Sequence, residues 1–205
     1  MSLERPKSYA MMWLVLAICA APVIASYALY FGVRPDGRTN YGELLDPQRE
    51  LPALDLTALD GRKAGWSQWR GRWILLTAAP ADCPGDCAER LYVMRQVRLT
   101  TGKDQDRIER VWLLTDDRAP APGLIAQHDG LNVVRLPSAS ALADSFPSAA
   151  GPADAPALTE TGAPRQGHIF VVDPLGHVMM RFPLGVDPNR MKKDIARLLR
   201  ASRVG

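Results

Sequence analysis

Residues 72–87 read RWILLTAAPADCPGDC. The apolar run at 72–78 predicts a strand that is buried on both faces, as in the centre of a sheet. After the second cysteine, Leu91, Met94 and Val97 recur at helical spacing, and Gly102 ends the predicted helix. A strand, a cysteine-bearing turn and a helix begin a βαβ unit, whose right-handed crossover pairs its two strands in parallel.

The elements around this unit complete an α/β domain. On the N-terminal side, Asp60-Gly61 between two short extended segments predicts a hairpin. On the C-terminal side the pattern predicts a strand at 108–115, a short helix at 123–128, a strand at 131–136, a mobile loop at 147–164, a hairpin at 168–182 and a final helix capped by Asp187. This order predicts a mixed central sheet flanked by helices, which is the layout of a thioredoxin-like domain.

One hydrophobic segment precedes the domain. Residues 9–31 contain no charged side chain, and about 20 apolar residues are enough to cross a bilayer as a helix. We therefore expect a short N-terminus at 1–8, a transmembrane helix at 9–32, a tether at 33–50 and the thioredoxin-like domain at 51–205. A cleaved signal peptide is the alternative, although its apolar region would be shorter.

The flanking charges indicate the orientation of that helix. Arg5 and Lys7 precede it and Arg34 and Arg38 follow it, so the charge bias is slight, but short positive N-termini usually stay in the cytoplasm. We expect a single-pass protein of the bacterial inner membrane with its domain in the periplasm. The chain has 205 residues and a net charge of only +3, with acidic and basic residues interspersed, which argues against nucleic acid as a partner.

Cys83 and Cys87 are the residues most suited to chemistry. If both lie where the helix begins, their sulfur atoms converge and can close a disulfide or bind one soft metal ion. Pro84 suits the first helical turn, and a helix N-terminus favours the thiolate that both reactions require. Thiolates select Cu(I), whereas structural zinc wants four ligands. A plain structural disulfide remains the alternative.

Residues 51–87 resemble the SCO/SenC family of copper-handling cytochrome c oxidase assembly proteins. Members of that family have one N-terminal anchor helix and a thioredoxin-like domain with a C-x-x-x-C motif. The resemblance extends from about Leu51 to the C-terminus, and it implies copper as the metal, with an oxidase subunit or another copper-assembly factor as partner. Cys83 and Cys87 match the two cysteines that bind copper in the family.

The resemblance also implies a histidine as third ligand. The position that matches the family histidine holds Arg165, and His168 follows three residues later. We therefore consider His168 a candidate metal ligand that requires a shift of register or a movement of the loop. His128 and His177 are expected at the surface.

Three functions are compatible with these residues. The first is an assembly factor that delivers copper to the oxidase or maintains the thiols of its copper site, which makes a metallochaperone role favoured over an enzymatic one. The second is a membrane-anchored thiol–disulfide oxidoreductase with Cys83 as the attacking thiolate and Cys87 as the resolving one. The third is a non-catalytic scaffold for oxidase assembly.

Overall fold

The computed structural model describes residues 9–32, 40–51, 53–137 and 167–202. The predicted loop at 147–164 and Arg165 lie outside these ranges. The chain divides into two compact units, residues 1–39 and 40–205.

The first unit contains helix α1, Tyr9–Gly32. Within it, the 21 residues Met11–Phe31, with a mean hydropathy of 2.1 in an 18-residue window, are long and apolar enough to cross a membrane. Pro22 lies inside the helix without ending it. This agrees with the predicted helix at 9–32.

The second unit contains the remaining elements. Its strands are β1 (Glu43–Glu50), β2 (Leu56–Ala58), β3 (Lys63–Ala64), β4 (Trp73–Ala79), β5 (Ile108–Leu114), β6 (Leu131–Arg135), β7 (Ile169–Val172) and β8 (His177–Phe182). Its α-helices are α2 (Asp86–Thr100), α3 (Pro122–Gln127) and α4 (Pro188–Ala201), and 3-10 turns occupy Trp66–Trp69 and Gly102–Arg107.

The described strands form one mixed sheet in the order β1-β8-β7-β4-β5-β6-β2-β3. Strand β4 pairs in parallel with β5, and β5 with β6, whereas β7 lies antiparallel to β4 on its other side. Strand β4 is therefore central, and all seven of its residues are buried. The predicted α/β class and thioredoxin-like layout are confirmed.

Each face of the sheet carries its own apolar cluster. The helix-side cluster joins the inner faces of α2 and α4 to Leu75, Trp112, Ile169 and their neighbours. The opposite cluster contains Leu76, Phe170 and the two tryptophans of the first 3-10 turn. Alternate residues of β4 and β7 belong to different clusters, because successive side chains of a strand point to opposite faces.

Two predicted local signals occur as expected. Asp60-Gly61 forms the turn between β2 and β3, and Asp60 accepts a hydrogen bond from the backbone N–H of Arg62. Asp187 caps α4, and its side chain accepts from the backbone N–H groups of Asn189 and Arg190. A capping carboxylate satisfies N–H groups that the helix itself leaves without acceptors.

The expected tether at 33–50 differs from the structure in its second half, and residues 33–39 lie outside the described ranges. Residues 43–50 form β1, which lies antiparallel to β8 at one edge of the sheet. Pro47 falls where the pairing register is interrupted between Leu44 and Arg49, and an edge strand tolerates proline there. The mixed polar composition of this segment did not predict a strand, because β1 is held by its pairing with β8, which lies far along the chain.

Candidate functional site

The candidate site lies at the turn between β4 and α2, where Cys83 and Cys87 form a disulfide with their Cα atoms 5.1 Å apart. Only Cys87 is helical, because α2 begins at Asp86. The expectation that Pro84 occupies the first helical turn is therefore wrong. Instead, Cys83 and Gly85 both adopt positive φ angles, which fold the turn tightly enough to bring the two cysteines together.

The two cysteines differ in exposure. Both cysteines pack in the helix-side cluster, but Cys87 is only 1% exposed, whereas Cys83 retains 8%. Thiol exchange requires an incoming thiolate to reach one sulfur of the disulfide. A partner would therefore approach Cys83, and Cys87 would be the inner, resolving residue.

A chain of charged groups attaches this turn to the end of β5. The Asp116 carboxylate accepts hydrogen bonds from the Ala81 backbone N–H, at 3.0 Å, and from Arg118 Nε, at 2.7 Å. Arg118 also forms an ion pair with Asp82, at 3.1 Å. Partial burial of Asp116 opposes ionisation, but these hydrogen bonds outweigh it and lower the pKa of its carboxyl group.

Arg90 is a charged residue of the site that the sequence analysis missed. It lies in α2 one turn beyond Cys87 and is only 8% exposed. Burial lowers the pKa of its guanidinium, and the charge of Asp86 acts in the opposite direction. Its Nη1 lies close to the backbone of Gly167, with 3.6 Å to the position that a Cβ atom would occupy there.

No acceptor among the described residues bonds the buried Nε of Arg90. A buried guanidinium that lacks a hydrogen-bond acceptor on one of its N–H groups is stabilised by a nearby anion. The sequence shows Arg90 three residues after Cys87, which places it one helical turn from the disulfide. It did not indicate that the side chain is buried.

His168 lies immediately before β7. Its ring approaches that of Phe170, at 6.2 Å between centroids, and its Nδ1 is 2.7 Å from the Phe182 carbonyl oxygen. Phe170 belongs to the cluster opposite the cysteines, and residues two apart share a face. The structure therefore does not bring His168 to the cysteine pair.

Within the described ranges, no group of three or more His, Cys, Asp or Glu side chains is arranged to hold a metal ion. The metal-ligand role of His168 stays a prediction that its position does not favour. His177 is half-buried and approaches Asp173, whereas His128 is buried rather than at the surface, contrary to expectation.

Comparison with known proteins agrees with this architecture. Residues 73–202 match the family model described as "Transmembrane-like, thioredoxin-like, C-terminal domain". No curated protein matches the chain.

Several solved structures have a similar fold. A SCO1/SenC family lipoprotein from Bacillus anthracis aligns with a TM-score of 0.56 at 15% identity, over 76% of this chain and 99% of its own. Copper-bound yeast Sco1 aligns with a TM-score of 0.56 at 12% identity, over 76% of this chain and 91% of its own. The thioredoxin domain of a thiol-disulfide oxidoreductase from Bacteroides vulgatus aligns with a TM-score of 0.51 at 17% identity, over 73% of this chain and 94% of its own.

Identities this low show a common fold, and that fold is the one implied by the resemblance to SCO/SenC proteins. The family model covers more than half of the chain and includes both cysteines, β4 to β8 and α4. The chain belongs to the transmembrane-like, thioredoxin-like family, and its domain has the fold of the Sco proteins.

Proposed function

We propose that this protein is a membrane-anchored assembly factor for cytochrome c oxidase that handles copper, or the thiols of the oxidase copper site, through Cys83 and Cys87. The observation that carries this proposal is the disulfide at the β4–α2 turn, in which Cys83 keeps some exposure and Cys87 is enclosed. Support also comes from the similar fold of copper-bound yeast Sco1.

Reduction of the disulfide comes first in the proposed cycle. A dithiol of a partner protein transfers two electrons and two protons, its own sulfur atoms become a disulfide, and Cys83 and Cys87 become thiols. Cu(I) then displaces the two protons and binds both thiolates. Two soft sulfur ligands are sufficient for Cu(I), whereas Cu(II) prefers nitrogen ligands in a tetragonal arrangement.

Arg90 supports the assignment of Cu(I) to the cysteine pair. Two thiolates and one Cu(I) ion carry a net charge of −1, and the buried guanidinium would offset part of it. The same cation would also favour the free thiolates in the absence of metal. His168 has no required part in this scheme.

A thiol–disulfide oxidoreductase is the second candidate, and the disulfide itself favours it. A substrate thiolate would attack Cys83, form a mixed disulfide and release the Cys87 thiolate. Attack by Cys87 on Cys83 would reverse that step. The thioredoxin domain from Bacteroides vulgatus shows that this fold occurs in a protein named for such chemistry.

Cu(I) titration of the full chain in detergent, after reduction, tests the first candidate. We expect one equivalent of Cu(I) to bind in competition with a chromophoric chelator. Cys83→Ser and Cys87→Ser should each abolish this tight binding, because one thiolate alone holds Cu(I) poorly. Cys19→Ser is the matched control, since Cys19 lies in α1, and it should bind one equivalent as the wild type does.

The other outcomes separate the alternatives. Absence of Cu(I) binding together with rapid exchange against a model disulfide would support the oxidoreductase. Absence of both activities, with normal oxidase assembly in a strain carrying both Cys→Ser changes, would leave a scaffold with a structural disulfide.

The proposed location follows from α1. We propose that the helix spans the bacterial inner membrane once and that the domain lies in the periplasm, an oxidising compartment in which a disulfide persists. Arg5 and Lys7 at the N-terminus support this orientation.

A further inference from the structure

A second group of charged side chains lies at the far end of α2 from the cysteines. Arg110 belongs to β5, and its strand neighbours Ile108 and Trp112 both point into the helix-side cluster. Arg110 therefore projects under α2, because alternate residues of a strand share a face. It pairs across the sheet with Leu131 at the start of β6, next to the short connection that carries His128.

Arg110 is buried without enough hydrogen-bond acceptors. It is only 2% exposed, and its Nη2 donates to the Asp129 carbonyl oxygen. Its Nε and Nη1 have no acceptor within the described part of the chain. His128 is 5% exposed, and its Nδ1 likewise lacks a partner there. Buried polar groups are ordinarily hydrogen-bonded, and a buried charge needs a counter-charge as well.

The charges around Arg110 are mostly of the same sign. Burial, together with the charges of the neighbouring guanidinium groups of Arg98 and Arg95, lowers the pKa of Arg110 to about 10. Asp129 and Glu109 act the opposite way. The Asp129 residue is exposed, however, and Glu109 is already shared between other groups.

Those other groups are Arg72, which forms an ion pair with Glu109, and the Asn132 side-chain amide, which donates to it. Water could satisfy the orphan N–H groups of Arg110, but it would not supply the missing negative charge. An anion with several acceptor oxygens would meet both needs.

We propose that Arg110, Arg95 and His128 form a binding site for a phosphate group, either free or on a lipid headgroup. A guanidinium presents a planar fork of donors that matches phosphate oxygens, and hydrogen bonds of this kind are charge-assisted. Exposed Gly130 lies beside the guanidinium, since a Cβ atom there would stand 3.6 Å from Arg110 Nη2. The site is separate from Cys83 and Cys87 and does not depend on the proposed function.

Thermal unfolding of the full chain in zwitterionic nanodiscs, at constant ionic strength, tests this site. Inorganic phosphate is the probe, and chloride replaces it in the reference buffer. We expect a saturable rise in Tm with phosphate, as for any ligand that binds only the folded state. Arg95→Gln should weaken the apparent phosphate affinity by about tenfold, because the variant lacks one charge-assisted hydrogen bond.

Arg110→Met should abolish the phosphate response without unfolding the protein, because an apolar side chain replaces an incompletely paired buried charge. Arg62→Gln is the charge-matched control, since Arg62 is 84% exposed at the β2–β3 turn, and it should respond as the wild type does. Absence of any phosphate response in the wild type, or an equal response in Arg95→Gln and the wild type, would overturn the proposal.

A second set of nanodiscs distinguishes the two sources of phosphate. If the group belongs to a lipid, discs containing phosphatidylglycerol should raise Tm without added phosphate and suppress the response to it. If the phosphate is free, the response should be the same in both kinds of disc. Either result supports the site, provided that Arg110→Met removes the corresponding rise in Tm.

Discussion

Cys83 and Cys87 illustrate how individual residues set the chemistry of the site. The positive φ angles of Cys83 and Gly85 bend the chain so that the two cysteines meet in a disulfide, in which Cys83 is 8% exposed and Cys87 1%. Charged residues then surround the pair asymmetrically, with Asp82 and Arg118 on the exposed side and the buried Arg90 on the helix. The buried charge should have the larger effect, because surface ion pairs are screened by solvent.

Replacing Arg90 tests that view. We expect Arg90→Met to lower the Cu(I) affinity of the reduced chain by roughly tenfold, because the variant lacks a positive charge that favours the anionic Cu(I)–dithiolate complex. Competition with a chelator measures it. Arg62→Met, which removes the same charge from the exposed β2–β3 turn, should leave the affinity unchanged. Equal affinities of Arg90→Met and the wild type would show that the guanidinium has no such role.

The pKa of His128 predicts how the stability of the folded domain depends on pH. Burial, and then the charges of Arg110 and Arg95, lower the pKa of its ring below 6.5. The unfolded chain therefore takes up this proton at a higher pH than the folded chain does. The stability that neutral His128 contributes is present above about pH 6.5 and is lost as the pH falls through the lower folded pKa.

Urea unfolding in phosphate-free buffer measures this dependence. Between pH 7.5 and pH 5, the free energy of unfolding of His128→Gln should decrease less than that of the wild type, because glutamine does not titrate. The same decrease in both proteins would assign the acid sensitivity to other groups.

At the scale of elements, β1 shows how a strand of polar composition is held in a sheet. Asp194 of α4 is buried and accepts hydrogen bonds from the backbone N–H groups of Tyr41 and Gly42, at 2.7 and 2.8 Å. An ion pair joins Glu43 to Arg181 of β8. The Tyr41 ring also lies under the Arg190 guanidinium, at 4.0 Å from the ring centroid. These contacts fix the start of β1 against the closing hairpin and helix.

Gly42 allows that close approach. A Cβ atom there would fall 2.6 Å from Met180 Sδ and 2.9 Å from Phe182 Cε1, so Gly42→Ala should destabilise the domain by about 1–3 kcal/mol, as overpacking of a core does. Urea unfolding measures the change. Gly65→Ala is the control, because its nearest atom, Ser67 Oγ, is 3.6 Å away. Equal stabilities of the two variants would contradict this account.

At the scale of the whole molecule, the chain combines an apolar helix with a domain that forms its own cores. The described surface of α1 is exposed almost throughout, although nearly all its residues are apolar. Such a surface is stable only in lipid or against another apolar surface.

The orientation of the anchor gives a further prediction. Alkaline phosphatase fused after Gly205 should be active in a bacterial host, because that enzyme folds only where disulfides form, whereas a β-galactosidase fusion at the same residue should be inactive. The opposite pair of activities would place the domain in the cytoplasm and remove the argument that an oxidising compartment maintains the Cys83–Cys87 disulfide.

Local patterns in the sequence were sufficient for the apolar N-terminal helix, the central strand, the position of the cysteine pair between strand and helix, and the Asp187 cap. Each depends on residues within one or two helical turns or a single strand, so hydrophobic period and turn chemistry predict it. They were insufficient for β1, for the face on which His168 lies, and for the burial of Arg90 and Arg110. Those features arise from contacts between segments far apart in the chain, such as Gly42 with Asp194 and Arg90 with Gly167. Only the folded sheet decides which charges lose their water, because burial depends on what packs above a side chain rather than on its neighbours in sequence.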